Sequence, residues 1–230
     1  MKILLASNNL HKLKEMRGIV AHSAPNISIV SPAEIGFSVD VEEHGTTFGE
    51  NAHIKALALW LVAQGHPHPD AKPDKPLSAI RNLVREAGGP FPVLSDDSGV
   101  GIDALGGQPG LFSARFGADL LGDGADDRSR AELLLKRMEG KAQRGAHYTC
   151  NAVMVLDGNR YVQVQDIWEG VIGSAYVEGA GGFGYDPVFY LPDYNCTVSQ
   201  LPQDQKDRIS HRAKAVNGVL RAASFLPPLT

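Results

Sequence analysis

The sequence predicts an α/β or α+β fold built on a mixed sheet, and three observations carry that prediction. A short apolar run at residues 2–6 feeds a stretch with helical spacing. A near-continuous apolar stretch at residues 148–156 has the character of a central strand. Strand and helix signals then alternate along most of the chain.

Residues 2–6 form the first predicted strand. Leu10, Leu13, Met16 and Val20 recur at helical spacing, with Ser7, Asn8 and Asn9 supplying cap residues where the helix begins. Residues 27–30 predict a second strand. Thr47-Phe48-Gly49-Glu50 fits a capping box, followed by a helix through Leu57, Ala58, Leu61 and Val62. Residues 64–92 hold six of the chain's 14 prolines and read as a surface insertion with one short helix. Ser78 is its expected cap and Gly88-Gly89 its stop. Val93-Leu94 then runs into Asp96-Asp97-Ser98-Gly99, whose residue types predict a turn. Asp126 and Asp127 start a helix through Leu133, Leu134 and Met138. The strand at 148–156 turns through Asp157-Gly158-Asn159 into a partner at 161–168, a predicted hairpin. Ala213, Val216, Leu220 and Ala223 mark a last helix over residues 210–226.

Length and composition bound the function. At 230 residues the chain has room for one large domain or two small ones, and we expect one, 1–230. With 43% hydrophobic and 21% charged residues it is neither disordered nor collagen-like. A net charge of −4 argues against a binder of nucleic acid polymers, though not against a local basic pocket. Cys150 and Cys196 make no disulfide framework, which suits a reducing, cytoplasmic setting. No stretch has the length of a signal or membrane segment, so no membrane partner is expected.

Four segments differ from ordinary packing. Residues 7–12 end a strand and open a helix, which presents free backbone N–H groups and a positive dipole end to an anion, with Lys12 adding a charge. Asp96 and Asp97 are adjacent carboxylates of the kind that favours Mg²⁺ or a raised pKa, and Ser98 adds a hydroxyl. Glu42-Glu43, a second acidic pair, reads on its own as a solvated loop. Residues 179–187 contain four glycines that let the backbone approach a ligand, with Phe183 and Tyr185 as flat faces for a base or as core side chains. Lys206, His211 and Arg212 carry donors suited to phosphate or carbonyl oxygen. Read alone, each segment also has a plain structural reading.

Taken together, the chain resembles the inosine triphosphate pyrophosphatase family, which removes non-standard purine nucleoside triphosphates. The resemblance rests on Ser-x-Asn-x-x-Lys at 7–12, Glu-Asn-Ala at 50–52 with Lys55, and Asp-Asp-Ser-Gly at 96–99. It continues with Gly-Gly-Gln-Pro-Gly-Leu-Phe-Ser-Ala-Arg at 106–115, Gly-Gly-Phe-Gly-Tyr-Asp-Pro at 181–187 and Ser-His-Arg at 210–212. It implies an elongated, two-lobed α/β fold with a central mixed sheet flanked by helices and a nucleotide cleft between the lobes. It also implies a homodimer and Mg²⁺-assisted hydrolysis to a nucleoside monophosphate and pyrophosphate. By position, Ser7, Asn8, Asn9, Leu10, His11 and Lys12 would hold phosphates. Glu42 and Asp97 would be the metal carboxylates, Asp97 also the general base, and Ser98 would touch substrate. Phe183, Gly184, Tyr185 and Asp186 would flank the purine, with Lys206, His211 and Arg212 closing around it. Segment 64–92 is longer than the family's usual connection.

Overall fold

The computed structural model describes residues 1–122 and 124–224. Strand β1 (Lys2–Leu5) leads into helix α1 (Leu10–Ser23), then β2 (Ser28–Val30), α2 (Pro32–Ile35), β3 (Val39–Val41) and α3 (Phe48–Ala63). Next come β4 (Ala71–Pro73), α4 (Leu77–Glu86), β5 (Val93–Ile102), α5 (Ala118–Leu121) and α6 (Asp127–Arg137). The long pair β6 (Gly145–Asp157) and β7 (Arg160–Ile172) is followed by β8 (Phe189–Leu191), β9 (Cys196–Thr197), α7 (Gln203–Ile209) and α8 (His211–Ser224).

Seven strands form one mixed sheet in the order β2-β1-β5-β6-β7-β8-β9, and β3 and β4 form a separate antiparallel pair. Strand β1 runs parallel to both β2 and β5, whereas β8 is antiparallel to β7 and β9. The α/β architecture with a central mixed sheet is therefore as expected.

The chain groups into two compact units. The first comprises Met1–Asp97, Cys150–Gln165 and the described residues from Arg212 onward; the second comprises Ser98–Thr149 and Asp166–His211. In the first unit both faces of the sheet are buried, which explains its unbroken apolar runs. Ile3, Leu5, Leu94, Cys150, Ala152 and Met154 face one core with Met16, Ile19, Val216 and Val219 of α1 and α8. Their neighbours Leu4, Val93, Val153 and Val155 face the other, with Leu59, Val62, Ile80 and Val84 of α3 and α4. The strand period of two sorts the same run of residues into two cores. The second unit has its own core, centred on Val100, Ile102, Leu134, Tyr148, Trp168, Tyr185 and Phe189.

Local signals set most boundaries. Asn9 caps α1, its side-chain oxygen accepting the N–H groups of His11 and Lys12 at 2.8 and 3.2 Å. Thr47 and Glu50 close the expected capping box on α3, and Asp126 caps α6. Asp157 Oδ1 accepts the N–H groups of Asn159 and Arg160 at 2.9 Å each, fixing the turn between β6 and β7.

Four expectations need correction. Residues 96–99 are not a turn: β5 runs straight through them. Ser78 does not cap α4; Pro76 occupies that position with no side-chain cap, and its fixed φ presets the helix start. Segment 64–92 is more than a surface helix, because it adds β4 and buries Ile80, Val84 and Phe91 in the α3 core. The last helix starts one residue later than expected, with α7 before it, and residues 225–226 lie outside the described residues.

Among the described residues no helix is long and apolar enough to cross a membrane. Both cysteines are free thiols. Cys150 is buried, and burial together with Asp96 pushes its thiol up, away from the reactive thiolate. A disulfide reagent should therefore label Cys196 in the native protein and reach Cys150 only after unfolding. Mass mapping of the labelled peptides checks this.

Candidate active site

In the first unit the functional residues gather where β5 meets α1 and α3. Along β5, Ser95 and Asp97 point to the α3 side of the sheet and Asp96 to the α1 side, as strand alternation requires. The Ser95 hydroxyl donates to the Ala52 carbonyl and anchors the α3 side. Both carboxylates survive inside a strand because each meets cations on its own face, and those partners outweigh the turn preference of the residue types.

On the α1 face, Asp96 is 2% exposed. Its Oδ2 accepts from Lys12 Nζ and Arg212 Nε, each at 3.1 Å. Arg212 is equally buried and also binds Glu15 of α1 through Nη1. Two cations and two carboxylates thus balance one another, with Lys12 alone partly exposed. Burial alone would raise the Asp96 carboxyl, but Lys12 and Arg212 hold it far below the usual carboxylate range.

On the α3 face, Asn51 Nδ2 donates to Asp97 Oδ2 at 3.2 Å, and Lys55 Nζ lies 3.6 Å from Asp97 Oδ1. Lys55 also donates to Glu43 Oε2 at 3.1 Å. Burial raises the Asp97 carboxyl; Lys55 and Lys12 pull it down, and Glu43 pushes it further up. Lys55 itself is raised, since Asp97 and Glu43 outweigh the effect of burial. This unequal pair of neighbours, one carboxyl depressed and one elevated, is the pattern that separates a structural carboxylate from a proton acceptor.

The residues at 7–12 surround the start of α1. Ser7 Oγ accepts the Asn9 N–H at 3.2 Å, Asn8 Nδ2 donates to the Val39 carbonyl at 3.3 Å, and Asn9 caps the helix. Leu10 is 78% exposed and His11 is exposed, while Lys12 turns in toward Asp96. The start of α1 thus has its cap in place, with Lys12 Nζ 3.1 Å from Asp96 Oδ2.

Glu42 stands apart. Its side chain is 66% exposed and lies 3.6 Å from Lys72, whereas Glu43 shares Lys55 with Asp97. Of the two glutamates, Glu43 is the one coupled to Asp97. Among the described residues no group of three or more His, Cys, Asp or Glu side chains is arranged to hold a metal.

The second unit holds the glycine-rich segment and the Lys206–His211 stretch. Asp186 is the hub. It accepts from Lys206 Nζ at 2.7 Å, the Phe183 N–H at 2.9 Å and the Tyr148 hydroxyl at 3.1 Å. Gly182 adopts φ +89°, and a Cβ there would sit 2.6 Å from Asp186 Oδ2, so only glycine lets the loop close on this carboxylate. Lys206 lies 5.0 Å from the centroid of the Phe183 ring, a cation–π contact. Gly184 donates its N–H to Asp127 Oδ2 at 2.8 Å. The His211 ring stacks on Tyr148 with centroids 4.7 Å apart and planes within 7°. Ser98, half-buried, follows Asp97 on β5.

Two residues sit differently from the roles first expected of them. Tyr185 is 5% exposed in the second core, its hydroxyl donating to the Ser113 carbonyl at 2.7 Å, so its ring is packing, whereas Phe183 is half-buried. Arg212 is locked between Asp96 and Glu15 and does not present free donors to a purine. Sequence reasoning passed over the roles of Glu15 and Asn51. A glutamate in a helix reads as solvated, and only the Arg212 partner, far along the chain, shows otherwise.

Fold and site define a class: an α/β protein with a capped helix start beside adjacent, cation-paired carboxylates. Residues 3–222 match the model of the Ham1 family, and the chain belongs to that family. A dITP/XTP pyrophosphatase of Treponema denticola is 36% identical over 221 residues, 96% of this chain and 97% of the relative. One of Leptospira biflexa is 37% identical over 215 residues, covering 93% and 92%. Among solved structures, the Ham1 protein of Staphylococcus aureus superposes with a TM-score of 0.69 at 29% identity, covering 97% and 98% of the two chains. A HAM1 protein from Coxiella burnetii gives 0.68 at 31% identity, covering 96% and 99%.

Proposed function

We propose that this chain hydrolyses non-standard purine nucleoside triphosphates (dITP, ITP, XTP) to the nucleoside monophosphate and pyrophosphate. The observation that carries the reading is Asp97: a half-buried carboxylate with a raised pKa, held by Asn51 and Lys55. The names of the relatives at 36 and 37% identity support the substrate class.

The donor set suits Mg²⁺. The ion takes hard oxygen ligands and is bound by one or two carboxylates plus substrate phosphates, keeping several waters. Asp97 and Glu43 are two carboxylates coupled through Lys55; burial raises Asp97 most and Glu43 adds to it, and a cation between them would offset both. Asp97 and Glu43 would hold the ion; the coupling favours Glu43 over Glu42 for this role. When bound, Mg²⁺ supplies charge neutralisation for the phosphates and leaving pyrophosphate.

The remaining chemistry belongs to the chain. The start of α1 and Lys12 bind phosphate oxygens and orient the phosphorus for in-line attack. Asp97 takes the proton of the attacking water; its raised pKa brings its basicity nearer to neutral pH than an ordinary aspartate's. As the water oxygen bonds to phosphorus, the bridging bond breaks and pyrophosphate leaves, its charge met by Lys55 and Lys12. Phe183, with Asp186, Lys206 and His211 fixing the loop around it, offers the stacking face for the purine, and Ser98 contacts the substrate. A homodimer is part of the proposal, supported by the exposed apolar side chains Phe112 and Leu120.

The test is a panel of nucleoside triphosphates assayed with Mg²⁺. dITP, ITP and XTP should be turned over far faster than dATP or dGTP, with pyrophosphate as the phosphorus product by ³¹P NMR. Release of orthophosphate would overturn the reading.

A further inference from the structure

The loop between β3 and α3 carries Glu43, and β5 carries Asp97; Lys55 and Asn51 of α3 both reach across between them. The Lys55 ammonium reaches both carboxylates. An ammonium on a flexible four-carbon stem tolerates a range of separations, so it attracts without fixing a distance. Asn51 is 3% exposed on the first turns of α3. Its Oδ1 accepts the Gly45 N–H at 2.8 Å, and its Nδ2 donates to Asp97 Oδ2 at 3.2 Å. The backbone N–H can only donate and the carboxylate can only accept, so one amide orientation satisfies both ends.

The rest of the loop is set from the same helix turn. Glu50 Oε2 accepts from the Thr46 N–H, the Thr46 hydroxyl and the Thr47 N–H at 2.6, 2.8 and 3.2 Å. Those bonds order the loop against α3 but do not reach β5. Gly45 leaves no slack at the Asn51 contact: a Cβ there would lie 2.6 Å from Asn51 Oδ1 and 2.7 Å from Glu50 Cβ.

We infer that Asn51 is a positioning residue whose short, rigid amide sets the Glu43 loop at a fixed distance from the Asp97 carboxylate. The inference rests on the proposed hydrolysis for its consequence, and on geometry alone for the contact. Asn51 touches no reacting atom; it acts through Asp97 and through the backbone beside Glu43. Misplacement of about 1 Å at a reacting centre costs on the order of 10²-fold in rate.

Three variants test it. Asn51→Leu keeps the volume and removes both bonds, and Gly45→Ala pushes the loop off an intact Asn51–Asp97 pair. Each should lower kcat for dITP by about 10²-fold while KM stays within about threefold. The exchanged pair N51D/D97N rebuilds the contact with its polarity reversed, since the new aspartate accepts from both Gly45 and the new asparagine. It should melt close to the wild type and well above N51D alone, with no turnover. The inference is overturned if Asn51→Leu and Gly45→Ala keep kcat within threefold, or if KM carries their whole effect. It is equally overturned if the exchanged pair melts no higher than N51D. A wild type that releases no pyrophosphate from dITP would instead defeat the proposed function, leaving the melting comparison to judge the contact.

Discussion

Asp97→Asn lowers turnover of dITP by about 10⁴-fold while the protein stays folded. The substitution is nearly isosteric, and its amide oxygen can still accept from Asn51. It cannot take a proton from water, and it is a poor metal ligand. Its effect on stability has the opposite sign to its effect on activity. Burial raises the Asp97 carboxyl in the folded chain, so ionising it at neutral pH opposes folding. The neutral variant sheds that penalty, and its melting temperature should match or exceed the wild type's. Pyrophosphate release and a thermal melt by circular dichroism decide the matter. Near-normal activity would remove Asp97 from the role of base.

Arg212→Met should do the reverse, damaging the fold first. Removing this guanidinium leaves Asp96 and Glu15 buried with Lys12 as the remaining cation named in the cluster. Breaking a buried ion pair costs about 3–5 kcal/mol, because the stranded charge stays out of water. In a chain of this length that corresponds to a melting temperature lower by roughly 10 °C. The pH dependence follows from the same cluster. The Asp96 carboxyl is depressed in the folded state, so its stabilising contribution is complete above its unfolded pKa of about 3.9. It drains away as pH falls below that value toward the folded pKa. The wild type should lose stability steeply on acidification below about pH 4, and Asp96→Asn should flatten that limb at the cost of stability at neutral pH. Denaturant midpoints across pH 2–7 measure both. An unchanged acid limb in Asp96→Asn would refute the pairing.

Which parts of this were legible in the sequence depends on how far a residue's decisive partner lies along the chain. The start of α1 was readable because its signal is local: Asn9 caps the helix two residues downstream. The Thr47–Glu50 box and the Asp157 turn were readable for the same reason. Strands β3, β4, β8 and β9 have two or three residues each, too short to show a period. Asp96-Asp97-Ser98-Gly99 is a more instructive miss. Its composition favours a turn, and the cations that keep it in a strand come from α1, α3 and α8. The sequence singled out Asp97, Lys12 and Lys206 as candidates through their residue types and the family resemblance. It did not show that Arg212 is locked in an ion-pair cluster, or that Tyr185 is core, because burial is a property of the folded chain.

The contact between Glu15 and Arg212 joins residues 197 positions apart. Strand β1 and helix α1 precede most of the chain, yet the charge at Glu15 and part of the apolar face of α1 are matched by α8. Until α8 arrives, Glu15 and Asp96 lack their guanidinium and Met16 and Ile19 lack Val216 and Val219. Closure of the first unit is therefore set by long-range contacts, and the intervening chain waits with that face open. A nascent chain stopped before α8 would be the form most exposed to aggregation and to proteases.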